Sequence, residues 1–373
     1  MLDEIRKEKE ELYYNIRMLE RNKQEVSNVS DSFVQQANGN INNYGMGYND
    51  VKDICRDVVR QELAIVTKEA TDIFHQEISA FENQFIDRLE KLENPQVIDK
   101  LKTPKLQFVL HDTMKEYAQT DDQNTKDELI DLLIERLNND ENITIQFVID
   151  EAIKVLPKIT KEAAYLLGAL LTRNITIGGT LFHLDNSLSE QAKVYSSLDS
   201  ISILDLEYLM QQKCCTLLPN LQEHYKVLEA MGKRYNLFFR HAVDQQTYNM
   251  FIEKNPAWSP EKSVRNYFFS KDGNYKIIPT HKSFLLESAK RDHKEKELPA
   301  LENFVESMTP WSEEEIHSYL VNLNPDWQKA INVLDRNEFR PIQLTPVGTY
   351  IANRIITRVI GCNYTFQDFY KSN

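Results

Sequence analysis

The spacing of apolar residues over the first 27 positions is typical of a coiled coil. Side chains recur at alternating intervals of three and four residues, at Leu2, Ile5, Lys9, Leu12, Ile16, Leu19, Lys23 and Val26. A helix with so narrow an apolar stripe has to bury it against a partner. Lys9 and Lys23 fall at a-type positions, where a polar residue lowers stability and restricts register and oligomer number. We therefore predict a self-associating coiled coil over residues 1–27; the alternative is a helix that packs on its own domain.

A segment rich in asparagine and glycine follows at residues 28–48. Asn38, Asn40 and Asn42 alternate along the chain and would share one face of an extended strand, whereas Ile41 and Tyr44 need burial. Identical strands stacked in parallel would form asparagine ladders. We interpret this segment as a short β element between subunits; a flexible linker is the alternative.

Apolar residues at intervals of three and four predict a mainly α-helical domain over residues 49–232. One long helix is expected over residues 51–93, because the following Asn94–Pro95 disfavours its continuation. Shorter helices are predicted at residues 97–101, 104–118, 125–138, 144–155, 160–173, 187–198, 202–213 and 219–230. Short connections between them are typical of a helical bundle.

The last part of the chain, residues 233–373, predicts a small α+β domain. Two β-rich runs flank Asp272–Gly273 within Tyr267–Pro279, which is the pattern of a hairpin. A solvated, charged helix is expected at residues 288–299. Ser312, three residues before Glu315, predicts a capping box at the start of another helix.

The tail Leu344–Ala352, LTPVGTYIA, resembles the strand, turn and helix that close many winged-helix domains. Thr345 would cap the last helix, with Pro346 at its first position. A DNA-binding regulator is therefore one alternative, and four arginines place positive charge in this region: Arg336, Arg340, Arg354 and Arg358. The formal net charge of −13 argues against a general affinity for nucleic acid.

Candidate chemistry is sparse. The eight histidines form no H-x-x-x-H or H-E-x-x-H pair, and no P-loop or nucleophile-elbow motif occurs, so we predict no metal and no cofactor. The pair His183 and Asp185 comes closest to a catalytic doublet. An enzyme of unfamiliar type, a nuclease or hydrolase assembled only in the fold, is the second alternative.

The cysteines and the longest apolar stretch predict a cytoplasmic protein without a membrane span. None of the cysteines has zinc-site spacing, and we expect reduced thiols at Cys55, Cys214, Cys215 and Cys362. Arg173 and Asn174 interrupt Ala163–Phe182, whereas a span needs about 18 uninterrupted apolar residues. The charged N-terminus has no apolar region of the kind that signal peptides carry.

Three stretches together resemble a bacterial family of mostly helical proteins with an N-x-N-x-YG element before a long helix. They are GNINNYGMGYNDVKDIC, the helical DELIDLLIERL with FVIDEAIKVLPKIT, and LTPVGTYIA. That family offers no catalytic motif to transfer. The tail is also similar to helical proteins of abortive phage infection, which implies a role in anti-phage defence. We expect a non-enzymatic, homo-oligomeric scaffold or sensor whose partners are itself, another protein or a phage component.

Overall fold

The chain divides into two units, Met1–Gly45 and Met46–Asn373, and the fold described here is that of the second. The computed structural model describes residues 52–57, 68–92, 99–138, 142–173, 175–176, 180–218, 225–261 and 266–361. The predicted coiled coil and β element, from Leu2 to Tyr44, lie outside these ranges. Both therefore stay predictions.

The first half of the described chain is helical, as the apolar periodicity predicted. Its helices are α1 (Lys68–Glu90), α2 (Pro104–Gln119), α3 (Gln123–Asn138), α4 (Ile143–Val155), α5 (Lys161–Thr172), α6 (Leu181–Ala192) and α7 (Ile203–Gln211). Side-chain caps fix several starts: Asn142 accepts from the backbone N–H of Ile145 at the start of α4, and this satisfies a donor that the helix itself leaves free. Residues 52–57 are also helical, but continuity with α1 stays a prediction.

The second half alternates helices with short strands. Its helices are α8 (Val227–Arg234), α9 (Gln245–Lys254), α10 (Lys282–Arg291), α11 (Leu298–Ser307), α12 (Glu313–Leu323), α13 (Asp326–Leu334) and α14 (Pro346–Ile360). The strands are β1 (Cys215–Leu217), β2 (Val243–Asp244), β3 (Phe268–Lys271), β4 (Asn274–Ile277) and β5 (Ile342–Leu344). Pairing is antiparallel throughout: β1 with β5, and β2, β4, β3 in that order. A mainly α protein with a few short strands is confirmed.

Two hydrophobic cores organise these elements. The larger core takes residues from α1 to α8 and from α12 to α14, and α14 packs most extensively on α5. The smaller core is built from the chain between Leu237 and Met308, which is inserted between α8 and α12. The predicted boundary at residue 233 thus falls near the start of the smaller core, while residues 311–356 return to the larger one.

The charged helix expected at residues 288–299 is not formed, because the chain turns between α10 and α11. His293 has a φ of 53°, and Lys294 is buried. Its ammonium donates to the carbonyl of Ala257 at 2.5 Å and lies over the ring of Trp258. A lysine that finds an acceptor and an aromatic face in the core therefore breaks the helix that the local pattern favoured.

The strand before α14 is joined to a distant part of the chain. Residues Ile342–Leu344 pair with Cys215–Leu217, which differs from a winged-helix domain, where this strand belongs to a hairpin of consecutive strands. Arg354 on α14 is held by the carboxylates of Glu128 and Glu135. This arginine is therefore not free to contact phosphates.

The predicted capping box at the start of α12 is confirmed and gives a direct test of local stability. The Ser312 hydroxyl accepts from the N–H of Glu315 at 3.2 Å, and the Glu315 carboxylate accepts from the N–H of Ser312 at 2.8 Å. We expect Ser312→Ala to lower the free energy of unfolding by about 1 kcal/mol in urea titrations. Ser318→Ala, at an exposed position of the same helix, should change it little. Equal losses in both variants would contradict the capping role.

Candidate functional site

Lys276 of β4 lies against aromatic rings at the junction of the two cores. Its Nζ is 4.1 Å from the ring centroid of Phe238 and 4.6 Å from that of Trp311. Phe238 is buried, whereas Trp311 and Lys276 are half-buried. An ammonium over two ring faces gains cation–π attraction but loses hydration.

The hairpin β3–β4 determines where Lys276 points. Asp272 and Gly273 have φ values of 53° and 77°, as the two central residues of a tight hairpin turn require. Lys276 pairs directly with Phe269, so their side chains share one face of the hairpin. Phe268 on the opposite face belongs to the smaller core. The alternation of the strand thus directs Lys276 away from that core.

Helix α6 begins directly on this hairpin. The N–H of Leu181 donates to the carbonyl of Ile278 at 2.8 Å. The ring of Phe182 meets that of Phe269 edge-on, with centroids 5.6 Å apart. Asp185 lies three residues further on, and residues with this spacing share a helix face. The hydrogen bond from Leu181 to Ile278 therefore places Phe182 and Asp185 beside Phe269 and Lys276.

Helix α12 supplies the remaining polar contact. The Tyr319 hydroxyl donates to the Asp185 carboxylate, and its ring lies 5.6 Å from that of Trp311. Burial, together with this hydrogen bond, raises the pKa of Tyr319. Tyr319 therefore stays a neutral donor and orients Asp185.

The electrostatics of the site centre on Lys276. Burial lowers the pKa of this lysine to about 8, and the charge of Asp185 opposes that shift only in part. Burial outweighs the carboxylate because the amine has lost hydration on its aromatic side. A substantial fraction of Lys276 is therefore uncharged in mildly alkaline solution.

The structure places the candidate residues singled out from the sequence in different surroundings. His183 and Asp185 are exposed, and Asp185 contacts Tyr319 rather than a second carboxylate. Cys214 and Cys215 are buried, and burial raises the pKa of each thiol to about 12. Such thiols are poor nucleophiles. The proposed oligomerisation residues lie outside the described ranges.

The described residues form neither a three-ligand metal site nor a membrane-spanning helix. Within them, no group of three histidine, cysteine, aspartate or glutamate side chains could hold a metal ion. No helix of the described ranges is both long and apolar enough to cross a bilayer.

A cleft of about 280 Å³ lies on another part of the body. It is lined by the starts of α3 and α5 and by the end of α14. Two basic side chains, Lys161 and Arg358, are balanced by two acidic ones, Asp122 and Glu128. Hydrogen bonds from Thr125 lower the pKa of Asp122 and keep it charged. The charged lining is thus neutral in sum and does not select a ligand of one sign.

The residues around Lys276, here called the lysine site, are predicted from the sequence only one by one. The sequence does not predict that they meet. The hairpin pattern predicts Lys276 on a strand, and His183 and Asp185 stand out in the sequence only as near neighbours. Nothing in the local pattern linked Asp185 to Lys276 or to Trp311, because these residues lie on three separate elements. The local pattern shows only a run of aromatic residues just after α8, namely Tyr235, Phe238 and Phe239.

The model of one protein family, described only as ":-like", matches residues 45–370. No curated protein and no solved structure gives a significant match to the chain. The matched range begins just before the first described helix and includes the whole lysine site. The chain therefore belongs to this family.

Proposed function

We propose that the protein is a non-enzymatic, homo-oligomeric helical scaffold or sensor of the bacterial cytosol. Residues 1–48 would gather copies of the chain through the coiled coil and the β element. The helical body would present a surface to a second protein or to a phage component. The observation that carries this proposal is the unbroken heptad from Leu2 to Val26, which needs a partner helix to bury its seam.

The position of the family match supports separate roles for residues 1–48 and for the helical body. The match begins at residue 45, so the heptad precedes the part that the family shares. An assembly arm attached to a common body is a simple way to make a multivalent protein, because linked copies bind more tightly than single ones. The role in anti-phage defence rests on the resemblance of the tail to abortive-infection proteins.

The first test compares the native mass of the full-length protein with that of a version lacking residues 1–48. We expect a defined multiple of the chain mass to fall to one chain, because the deletion removes both proposed contacts. An unchanged mass would refute the assembly role of the arm.

Two point variants test the seam within the full chain. Leu12→Asp places a charge at a d-type position and should dissociate the oligomer, because a carboxylate cannot be buried there without a partner. Gln24→Asp adds the same charge outside the seam and should leave the mass unchanged. Dissociation by both variants would point to a general charge effect and would contradict the heptad.

A further inference from the structure

The amine of Lys276 combines partial burial with access to solvent. Lys276 makes no hydrogen bond or ion pair within the described part of the chain. Its Nζ is also not fully enclosed by protein. An amine without a partner and without full enclosure must reach water on one side. The aromatic rings of Phe238 and Trp311 cover the other side.

An exposed aromatic pair borders the open side of this amine. Phe182 is 60% exposed and Phe269 is 37% exposed, and their rings contact each other. Phe269 lies directly opposite Lys276 in the hairpin. A ligand that reaches the amine from solvent would therefore meet two phenyl rings beside it.

We propose that Lys276 is a covalent binding site for small aldehydes that carry an aromatic body. The neutral amine adds to the carbonyl carbon and forms a C–N bond. The hydroxyl of the resulting carbinolamine then leaves as water, which gives an imine. Both N–H protons of the amine leave with the carbonyl oxygen as this water, carried through the solvent on the open side of Lys276, while the negative charge of Asp185 acts on the site. Phe182 and Phe269 hold the aromatic body.

The state of the amine agrees with this chemistry. Only an uncharged amine attacks a carbonyl, and burial lowers the pKa of Lys276 to about 8. Desolvation in an apolar surround is a general way to activate a lysine for imine formation. Asp185 of α6 is the charged group that acts on it, and it is oriented by the Tyr319 hydroxyl of α12. The proposal goes beyond oligomeric assembly and does not depend on it.

The first experiment measures imine formation on the full-length protein. The protein is incubated with benzaldehyde and cyanoborohydride, which reduces the imine to a stable secondary amine, and labelled peptides are quantified by mass spectrometry. Lys271 is the internal reference, because it is exposed on the same hairpin. At pH 7.5 we expect Lys276 to be labelled at least about tenfold faster than Lys271, since its uncharged fraction exceeds that of an ordinary lysine by roughly two-hundredfold.

The ratio of labelling at Lys276 to labelling at Lys271 should fall as the pH rises from about 8 to about 10.5, because the uncharged fraction of Lys276 saturates above its pKa of about 8 while that of an ordinary lysine keeps rising. Equal rates at Lys276 and Lys271 would overturn the proposal. A ratio that stays constant over this pH range would overturn it as well, because it would show that Lys276 titrates as an ordinary solvated amine.

A second experiment tests the role of the aromatic pair, Phe182 and Phe269, separately from that of the amine. Phe182→Ser should lower the benzaldehyde rate at Lys276 about threefold or more, because it removes one ring contact, and should leave the formaldehyde rate unchanged. Phe108→Ser is the matched control, since Phe108 is 62% exposed on α2, and should alter neither rate. An equal loss with both aldehydes in Phe182→Ser would overturn the role of the ring pair.

Discussion

Replacing Gly348 with alanine is expected to lower the free energy of unfolding by at least about 3 kcal/mol, because it forces two backbone segments apart. A Cβ at residue 348 would lie 1.7 Å from the carbonyl oxygen of Cys214. The obstacle is backbone and cannot rotate away as a side chain can. The clash would also pull on Thr345, whose N–H donates to the same carbonyl at 3.0 Å.

Gly232→Ala is the matched control for this clash. A Cβ there would meet only the flexible end of Ile316, at 3.3 Å, and alanine favours the helical backbone of α8 by about 0.5–1 kcal/mol. We expect its free energy of unfolding to stay within about 1 kcal/mol of the wild type. Urea titrations of both variants decide the matter, and a Gly348→Ala protein as stable as Gly232→Ala would contradict the close approach.

A milder variant covers the case in which Gly348→Ala does not fold. The Thr345 hydroxyl accepts from the N–H of Gly348 at 3.2 Å and donates to the carbonyl of Lys213 at 2.5 Å. Thr345→Val keeps the shape and removes both bonds, so we expect a loss of about 1–2 kcal/mol. Thr345→Ser keeps the hydroxyl and should lose less.

Replacing Lys276 with methionine is expected to stabilise the protein at pH 7. The folded protein lowers the pKa of this lysine from 10.5 to about 8, so the charged form is less favourable in the folded state than in the unfolded chain. The full shift corresponds to about 3 kcal/mol. We expect a gain of roughly 1–2 kcal/mol, because the amine reaches solvent and its cost is partly screened.

The same variant should change how stability depends on pH. Below pH 8 the lysine is protonated in both states and the folded state bears the cost. Between about pH 8 and pH 10.5 the unfolded chain holds more protons, so the contribution of Lys276 to stability rises with pH. The advantage of Lys276→Met should therefore shrink across this window. Lys271→Met, at an exposed position of the same hairpin, should show neither effect.

Melting curves at fixed protein concentration between pH 7 and pH 10.5 measure both effects. The quantity compared is the difference in stability between variant and wild type at each pH. This removes the effect of the buried cysteines, because burial raises the pKa of their thiols to about 12 and so also makes stability depend on alkaline pH. A Lys276→Met protein that is less stable than the wild type at pH 7 would show that cation–π attraction outweighs the loss of hydration.

The sequence by itself determined most helices and the local chemistry of their ends. Helices α2 to α5 and α7 follow the apolar spacing closely, because each buries one stripe of side chains that the chain order already sets. The hairpin around Asp272–Gly273 and the box at Ser312 and Glu315 depend on neighbouring residues only. Such signals are contained in a few consecutive positions.

Only the tertiary structure decided the elements whose stabilising partners lie far away in the chain. Helix α6 starts at Leu181 rather than at residue 187, because the N–H of Leu181 donates a hydrogen bond to the carbonyl of Ile278. The tail LTPVG packs on Lys213 and Cys214. The lysine site needs Asp185, Lys276 and Trp311 from three separate elements. Long-range pairings of this kind leave no periodic pattern, because the contact is made by the packed fold and not by the spacing of residues along the chain.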